Sequence, residues 1–363
     1  MTTCRWSSVP YLGRLPRPIV TGHGTYQERS GFLLVVRDAD GIVGLGDVAP
    51  LTGFSTETLE DAMARWVTIQ SEVARWRIPA TRQELSALSP DFDRLTAGLP
   101  SLRYGLETAL GDLAARRAGI AMARWLSGDC AEEVEVNALL TGDDPAALAE
   151  QAQMAFSNGF RTFKMKVAVG SVGRDVERVA AVRKAVTEAN LRIDANEGWT
   201  ESQVQEAFPV LRELSLEFVE QPLPAGQAAR ARHFSRLFGI PLALDEEVND
   251  SADAQRLITE GLCDAIVLKP MVDGGLLRSL VLAEVAQRAG VKVIFTSTWE
   301  SDVGLAGTLH LACAAGSAAA PVGLATAGMI AEGIVEPALR ITGGRLSTAG
   351  QVGLGLQLSR PDA

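Results

Sequence analysis

The 363 residues carry a formal net charge of −10, with 47% hydrophobic and 21% charged side chains. An acidic chain without a basic stripe is a poor partner for nucleic acid or an anionic membrane, so neither is expected. The length exceeds one small domain and suits a barrel of about 250 residues with a smaller companion.

Cys4, Cys130, Cys263 and Cys313 lie far apart, with no CxxC spacing. That argues against thiolate metal sites and redox motifs and fits a reducing, cytoplasmic setting. Residues 1–20 hold Arg5, Arg14, Arg17 and prolines but no continuous apolar run, so no signal peptide is expected. The weakly polar stretch 304–330 is rich in Ala and Gly and poor in large apolar residues, which favours buried packing over a membrane span.

In chain order, residues 31–37 read as a strand, 38–41 (Asp-Ala-Asp-Gly) as a turn and 42–48 as the return strand. Helical patterns follow over 58–76 and 101–118. Strands first and helices after predict a small α+β domain over 1–127. From residue 128 to 334 a different rhythm sets in. Short apolar runs end in a polar or charged residue, and a helical pattern follows each. The runs are 134–140, 159–166, 191–194, 216–220, 241–245, 265–269 and 291–295, with a weaker eighth at 321–324. Val176, Val179, Val182 and Val186 recur at helical spacing, and Thr200 with Gln203 forms a capping-box signature. Pro209 interrupts the helix that follows. Repeated strand–helix units predict an α/β fold closed as a barrel; no GxGxxG turn supports an open doubly wound sheet.

The strand ends carry the chemistry. They read Lys164-Met165-Lys166, Asp194-Ala195-Asn196, Glu220-Gln221, Asp245-Glu246-Glu247 and Lys269-Pro270. Lys164, Asp194, Glu220, Asp245 and Lys269 are 30, 26, 25 and 24 residues apart, one strand–helix unit per gap. All therefore point into one mouth, at the C-terminal face of the barrel. One such charge is ordinarily a solvated side chain or a helix cap. Five consecutive charged ends in the order K-D-E-D-K are not explained by capping. Asp194, Glu220 and Asp245 repel one another unless a cation joins them, and all-oxygen ligands favour Mg²⁺, or Mn²⁺, over Zn²⁺. Lys164 and Lys166, two apart on a strand, share a face, and each is expected to lower the other's pKa. A base, a dication and a second cation (Lys269) are what removal of a proton beside a carboxylate requires.

On these motifs the chain resembles the enolase superfamily, in its muconate-lactonizing-enzyme subgroup: FKMKVAVG (163–170), LRIDANEGWT (191–200), FVEQPLP (218–224), ALDEE (243–247) and AIVLKPMVDGG (265–275). The resemblance implies a (β/α)7β TIM-type barrel under an N-terminal α+β capping domain, with residues 335–363 packing back on the cap. It implies Mg²⁺ on Asp194, Glu220 and Asp245, catalytic Lys166 and Lys269, and a supporting Lys164. Asn196 and Glu246 would stand behind them, Glu246 orienting Lys269. A histidine base is not expected, since His23, His233 and His310 do not end strands appropriately.

Within the subgroup, GLGDVAPLTGFSTETLE (44–60), PSLRYGLETAL (100–110), VNALLTG (136–142) and TSTWESDVGL (296–305) resemble the o-succinylbenzoate synthase family. That resemblance implies a Mg²⁺-dependent dehydration of a cyclohexadiene carboxylate. Gly53, Phe54, Ser55, Ser297, Thr298 and Glu300 would bind the substrate, a small-molecule carboxylate. N-succinylamino-acid racemase, dipeptide epimerase and muconate cycloisomerase chemistry remain alternatives on the same site, and either a monomer or a homo-oligomer is compatible. Dipeptide epimerases usually carry Asp-x-Asp at the eighth strand, where this chain reads PVGLATAG (321–328). Glu247, often Ser in the family, and Thr296 and Thr298, where serines are commoner, depart from the pattern.

Overall fold

A computed structural model describes residues 4–21, 24–330 and 333–359. The chain opens with an antiparallel sheet, β1 (Arg5–Thr21), β2 (Gly24–Arg37) and β3 (Val43–Val48), in the order β1-β2-β3. The β2–β3 turn is held by Asp38, whose Oδ1 accepts from the backbone N–H of Asp40 (3.0 Å) and Ile42 (2.9 Å). Residues 32–36 are buried on both faces of β2, so they read as a continuous apolar run. The helix Pro100–Ala118 packs so close to β3 that a β-carbon on Gly46 would collide with the Gly105 carbonyl.

The sequence pattern misses β1 entirely. Pro10, Pro16 and Pro18 interrupt it, and its register against β2 shifts between Arg14 and Ile19. An edge strand tolerates this, because one row of its N–H groups has no partner to lose.

The remaining strands are β4 (Glu133–Glu135), β5 (Ala138–Leu140), β6 (Thr162–Lys166), β7 (Asn190–Asp194), β8 (Phe218–Glu220), β9 (Leu242–Leu244), β10 (Ala265–Leu268), β11 (Lys292–Phe295), β12 (Val335–Glu336), β13 (Arg345–Ser347) and β14 (Gln357–Leu358). Strands β5 to β11 lie parallel, in sequence order, in one seven-stranded curled sheet. Residues 319–323 close it, with Ala320 N–H donating to Val293 O (2.7 Å), Gly323 N–H to Phe295 O (2.8 Å) and Asn137 N–H to Val322 O (2.9 Å). The architecture is a TIM-type barrel beside a mixed α/β N-terminal capping domain.

Two expected strands differ in detail. The run 134–140 is broken after β4, which leaves the barrel to pair antiparallel with β13. The run at 321–324 forms isolated bridges, because Pro321 has no N–H to offer a ladder.

The barrel helices begin at side-chain caps: Asp144, Ser171, Thr200, Asp250 and Ser301 each accept from a first-turn N–H. Thr200 and Gln203 form the full capping box, contributing about 1 kcal/mol. Pro209 is the third-last residue of helix Glu201–Leu211, which tightens into a 3-10 turn at Arg212–Leu214. Placed there, the proline costs little of the helix that precedes it. The apolar stretch after 304 is the helix Asp302–Ala315, buried over all but its last residue. Among the described residues no helix is long and apolar enough to cross a membrane. The C-terminal segment returns to the helix Pro100–Ala118: Leu354 N–H donates to Asp112 Oδ1 (2.7 Å) and Arg116 Nη2 to Leu356 O (2.5 Å).

Candidate active site

Strand register sets the site. Lys166 of β6 lies beside Asp194 of β7, and Asp194 beside Glu220 of β8. Glu220 pairs with Ala243 of β9, so Asp245 follows two residues further on. Lys164, Lys166, Asp194, Glu220, Asp245 and Lys269 all line one cavity of about 350 Å³ at the C-terminal ends of the strands.

The carboxylates are neutralised by lysines. Lys164 Nζ lies 2.9 Å from Asp194 Oδ2 and 2.7 Å from Glu220 Oε1, and Lys269 Nζ bonds Asp245. Lys166 Nζ has no hydrogen-bond or ion-pair partner among the described residues. Burial opposes the Lys164 ammonium, but Asp194, Glu220 and Asp245 outweigh it and raise the pKa. The same contest, won by Asp245 and Asp273, raises Lys269. Lysine–lysine repulsion, expected to depress Lys164, is therefore overruled by the carboxylates packed against it.

One ammonium does not satisfy this much negative charge. Burial, then repulsion from Asp194, pushes Glu220 up to about 8 despite the Lys164 contact. Asp194 resists burial through Lys164 and the Asn196 N–H, and its pKa is lowered. Burial and Asp245 push Glu246 up to about 7. Among the described residues no set of three His, Cys, Asp or Glu is drawn into a metal-holding geometry. The lysines stand between the oxygens instead. The donor set nevertheless fits a hard dication: three carboxylates from successive strand ends, Asp194 and Glu220 buried and Asp245 half-buried, short of positive charge, with oxygen ligands only.

Asn196 buttresses the cluster. Its N–H donates to Asp194 Oδ1 (2.9 Å), and its Nδ2 to Asp194 Oδ2 (3.2 Å) and Glu246 Oε1 (3.1 Å). Glu246 thus bonds Asn196, not Lys269 as expected, and its Oε2 is buried without a partner. The residue that fixes Lys269 is Asp273, whose carboxylate accepts from the Lys269 N–H. Its spacing, four residues after a strand-end lysine and inside a tight helical turn, was the available signal. Gln221 was also missed. It is buried, and its Oε1 accepts from the Asp245 N–H (3.1 Å).

The expected substrate residues divide. Phe54 and Ser297 line the cavity; Gly53, Ser55, Thr298 and Glu300 do not. Ser55 Oγ accepts from the Leu51 N–H (2.9 Å) and shapes the capping loop. Thr298 and Glu300 are buried behind the wall, where Thr298 N–H donates to Glu300 Oε2 (2.6 Å). Thr296, Ser297 and Trp299 reach the cavity, whereas Thr298 and Glu300, on either side of Trp299, turn away from it. Burial pushes Glu300 up to about 7.

Trp299, Thr326 and Arg192 line the cavity without having been singled out. Thr326 Oγ1 lies 3.1 Å from Ser297 Oγ. Arg192 is buried on β7, forked onto Glu217 (2.7 and 3.1 Å) with Nη1 donating to Pro321 O (2.7 Å), and it ties the barrel interior across its closing seam. Of the histidines, His310 is buried with Nδ1 accepting from the Ala123 N–H (3.0 Å), and His233 is exposed on helix Ala228–Phe238. Neither lines the cavity. His23 lies outside the described residues.

Backbone strain concentrates here. Among the described non-glycine residues, Ala168, Asn196, Glu197, Gln221 and Trp299 have positive φ just past barrel strands; only Ser215 lies elsewhere. Sparsely populated backbone of this kind persists where surroundings over-determine it and gathers at functional sites.

The family model described as enolase C-terminal domain-like matches residues 147–363, and the MenC, N-terminal domain model matches 14–113. N-succinyl-L-Arg/Lys racemase of Bacillus cereus is 26% identical over 306 residues, 83% of this chain and 82% of that protein. Chloromuconate cycloisomerase CbnB of Cupriavidus necator is 28% identical, covering 81% and 80%. Among solved structures, a dipeptide epimerase from Methylococcus capsulatus, complexed with Mg and the dipeptide L-Arg-D-Lys, superposes with TM-score 0.86 at 26% identity. That match covers 98% of this chain and 99% of the other.

Proposed function

The chain belongs to the enolase superfamily, and from that premise we propose that this enzyme is an o-succinylbenzoate synthase. It would dehydrate 2-succinyl-6-hydroxy-2,4-cyclohexadiene-1-carboxylate in menaquinone biosynthesis. The unpartnered Lys166 Nζ, beside three carboxylates whose own lysines are engaged, is the observation that carries the proton-abstraction step. The choice of substrate is supported by the match of residues 14–113 to the MenC N-terminal domain. It also agrees with the uncharged cavity side formed by Ile294, Thr296, Ser297, Trp299, Gly323, Ala325 and Thr326.

Lys166 Nζ takes the proton from the carbon beside the carboxylate. Lys269, held by Asp245 and Asp273, faces the developing enediolate and stabilises its negative charge. Lys166 then returns the proton to the departing ring hydroxyl, and water leaves as the ring becomes aromatic. Lys164 keeps Asp194 and Glu220 in place, and Asn196 fixes the Asp194 oxygens. Asp194, Glu220 and Asp245 would hold Mg²⁺, which supplies Lewis-acid stabilisation of carboxylate oxygens when bound. The same proposal places the reaction in the cytoplasm, on a small-molecule carboxylate, with the cap at 1–127 and the barrel at 128–334.

Racemase or epimerase action on an amino acid derivative is the second possibility, favoured by the relatives' identities. A spectrophotometric assay with the cyclohexadiene carboxylate, with Mg²⁺ and then excess chelator, tests the proposal. Rapid, chelator-sensitive formation of o-succinylbenzoate is expected. No conversion, with exchange of the α-proton of an N-succinylamino acid in deuterated water, would make the protein a racemase.

A further inference from the structure

Trp299 is a bulky residue held at φ 58°, a conformation that few such residues adopt. The chain is tied down on both sides of it. On one side, Thr298 O accepts from Arg29 Nε (3.0 Å) and Thr298 N–H donates to buried Glu300. On the other, Ser301 N–H (3.0 Å) and Oγ (2.7 Å) donate to Asp47 Oδ2. Arg29 on β2 and Asp47 on β3 both come from the capping domain, so the cap dictates the backbone that aims this indole into the barrel's cavity.

Arg29 also governs the other side of the wall. It is 2% exposed and forms no ion pair among the described residues. Its guanidinium is spent on carbonyls: Thr298, Ser30 (3.1 Å), Pro50 (2.9 Å) and Ala49. Ala49 and Pro50 lead directly into the loop that carries Phe54. Asp47 and Glu300 lie within electrostatic reach of this charge without pairing with it directly, and a planar fork is what several fixed carbonyls require. The result is a pair of rings 5.7 Å apart, Phe54 edge-on to Trp299, with Tyr26 backing the indole at 5.9 Å. Tyr26 is itself fixed to the capping loop through Thr52 O (2.8 Å).

We infer that Trp299 and Phe54 form an aromatic wall that selects a planar, uncharged substrate body, and that Arg29 is the positioning residue that sets both rings. The inference rests on the synthase proposal for the identity of that body. A flat ring gains stacking area on the wall. An ammonium group placed beside Ser297 and Thr326 loses its water and meets no carboxylate from that side of the cavity.

The test uses full-length protein with Mg²⁺ and calorimetric binding of o-succinylbenzoate and of succinate, alongside kcat and KM. Trp299→Ala is expected to weaken o-succinylbenzoate and raise KM about tenfold, with succinate affinity shifting less than about twofold. Trp299→Phe keeps most of the affinity. Arg29→Ala reproduces the Trp299→Ala effect, and the double variant adds little beyond either single one. Should Arg29→Ala fail to fold, Arg29→Lys replaces it in the cycle, because it keeps the charge and loses the fork. Unchanged o-succinylbenzoate binding in Trp299→Ala, or none in the wild type, overturns the wall. Additive effects of Arg29 and Trp299 overturn the positioning role. Trp299-dependent binding of o-succinylbenzoate by a wild type that does not turn over the cyclohexadiene overturns the synthase and supports the wall.

Discussion

The two sides of the cavity are built differently. On β6 to β10 the reacting groups are charges at strand ends, aligned by ladder register and crowded until Lys164 and Lys269 are engaged by the carboxylates and Lys166 alone is left without a partner among the described residues. Around β11 and residues 323–326 the groups are neutral, and the turn that carries Trp299 is set by buried contacts with the capping domain. On the proposed function, the charged side performs the proton transfer and the neutral side selects the rest of the substrate. One half can thus be kept while the other changes, a division consistent with racemases and cycloisomerases appearing among this chain's relatives.

That division is open to attack, beginning with Lys166→Ala. It should reduce kcat about 10⁴-fold, as expected for loss of a general base, with circular dichroism and melting temperature unchanged. An active, folded variant would end the proton-transfer assignment. Asp194→Asn should cost about 10³-fold in turnover. Excess chelator should silence the wild type, and added Mg²⁺ or Mn²⁺ should restore it. Ser297→Ala belongs to the neutral side and should raise KM about three- to tenfold while kcat holds. A collapse of kcat in that variant as deep as that of Lys166→Ala would erase the distinction between the two sides.

Smaller effects sharpen the electrostatics. Between its ordinary 4.5 and about 8, Glu220 is protonated in the folded protein and ionised in the unfolded chain. The native state therefore binds more protons across that window, and stability falls as pH rises through it. Glu246, at about 7, adds to the same slope. Raised Lys164 contributes fully below its ordinary 10.5, and lowered Asp194 above its ordinary 3.8, so neither tilts this window. Thermal melts of metal-free protein should show the decline, Glu220→Gln should make it shallower, and bound Mg²⁺ should suppress it. A flat profile would mean that the carboxylates are already balanced. Thr200→Ala, remote from both sides, should cost about 1 kcal/mol in a denaturant titration and leave turnover unchanged.

By itself the sequence determined the barrel, through apolar runs at strand length with capped helices between them. It also placed the charged side, because a residue ending a barrel strand can face only the mouth. Lys164, Lys166, Asp194, Glu220, Asp245 and Lys269 needed nothing beyond their spacing. Tertiary structure alone decided the rest. Three prolines hid β1, which pairing with β2 nevertheless makes a strand. Glu246 turned to Asn196, and Asp273 took the position beside Lys269, because short-range geometry selects among several nearby carboxylates. Trp299 replaced Thr298 and Glu300 at the cavity because Arg29 and Asp47, more than two hundred and fifty residues earlier, fix that turn. A hydrogen bond across such a separation leaves no local periodicity in the chain. It exists only once the capping domain and the barrel have been packed together.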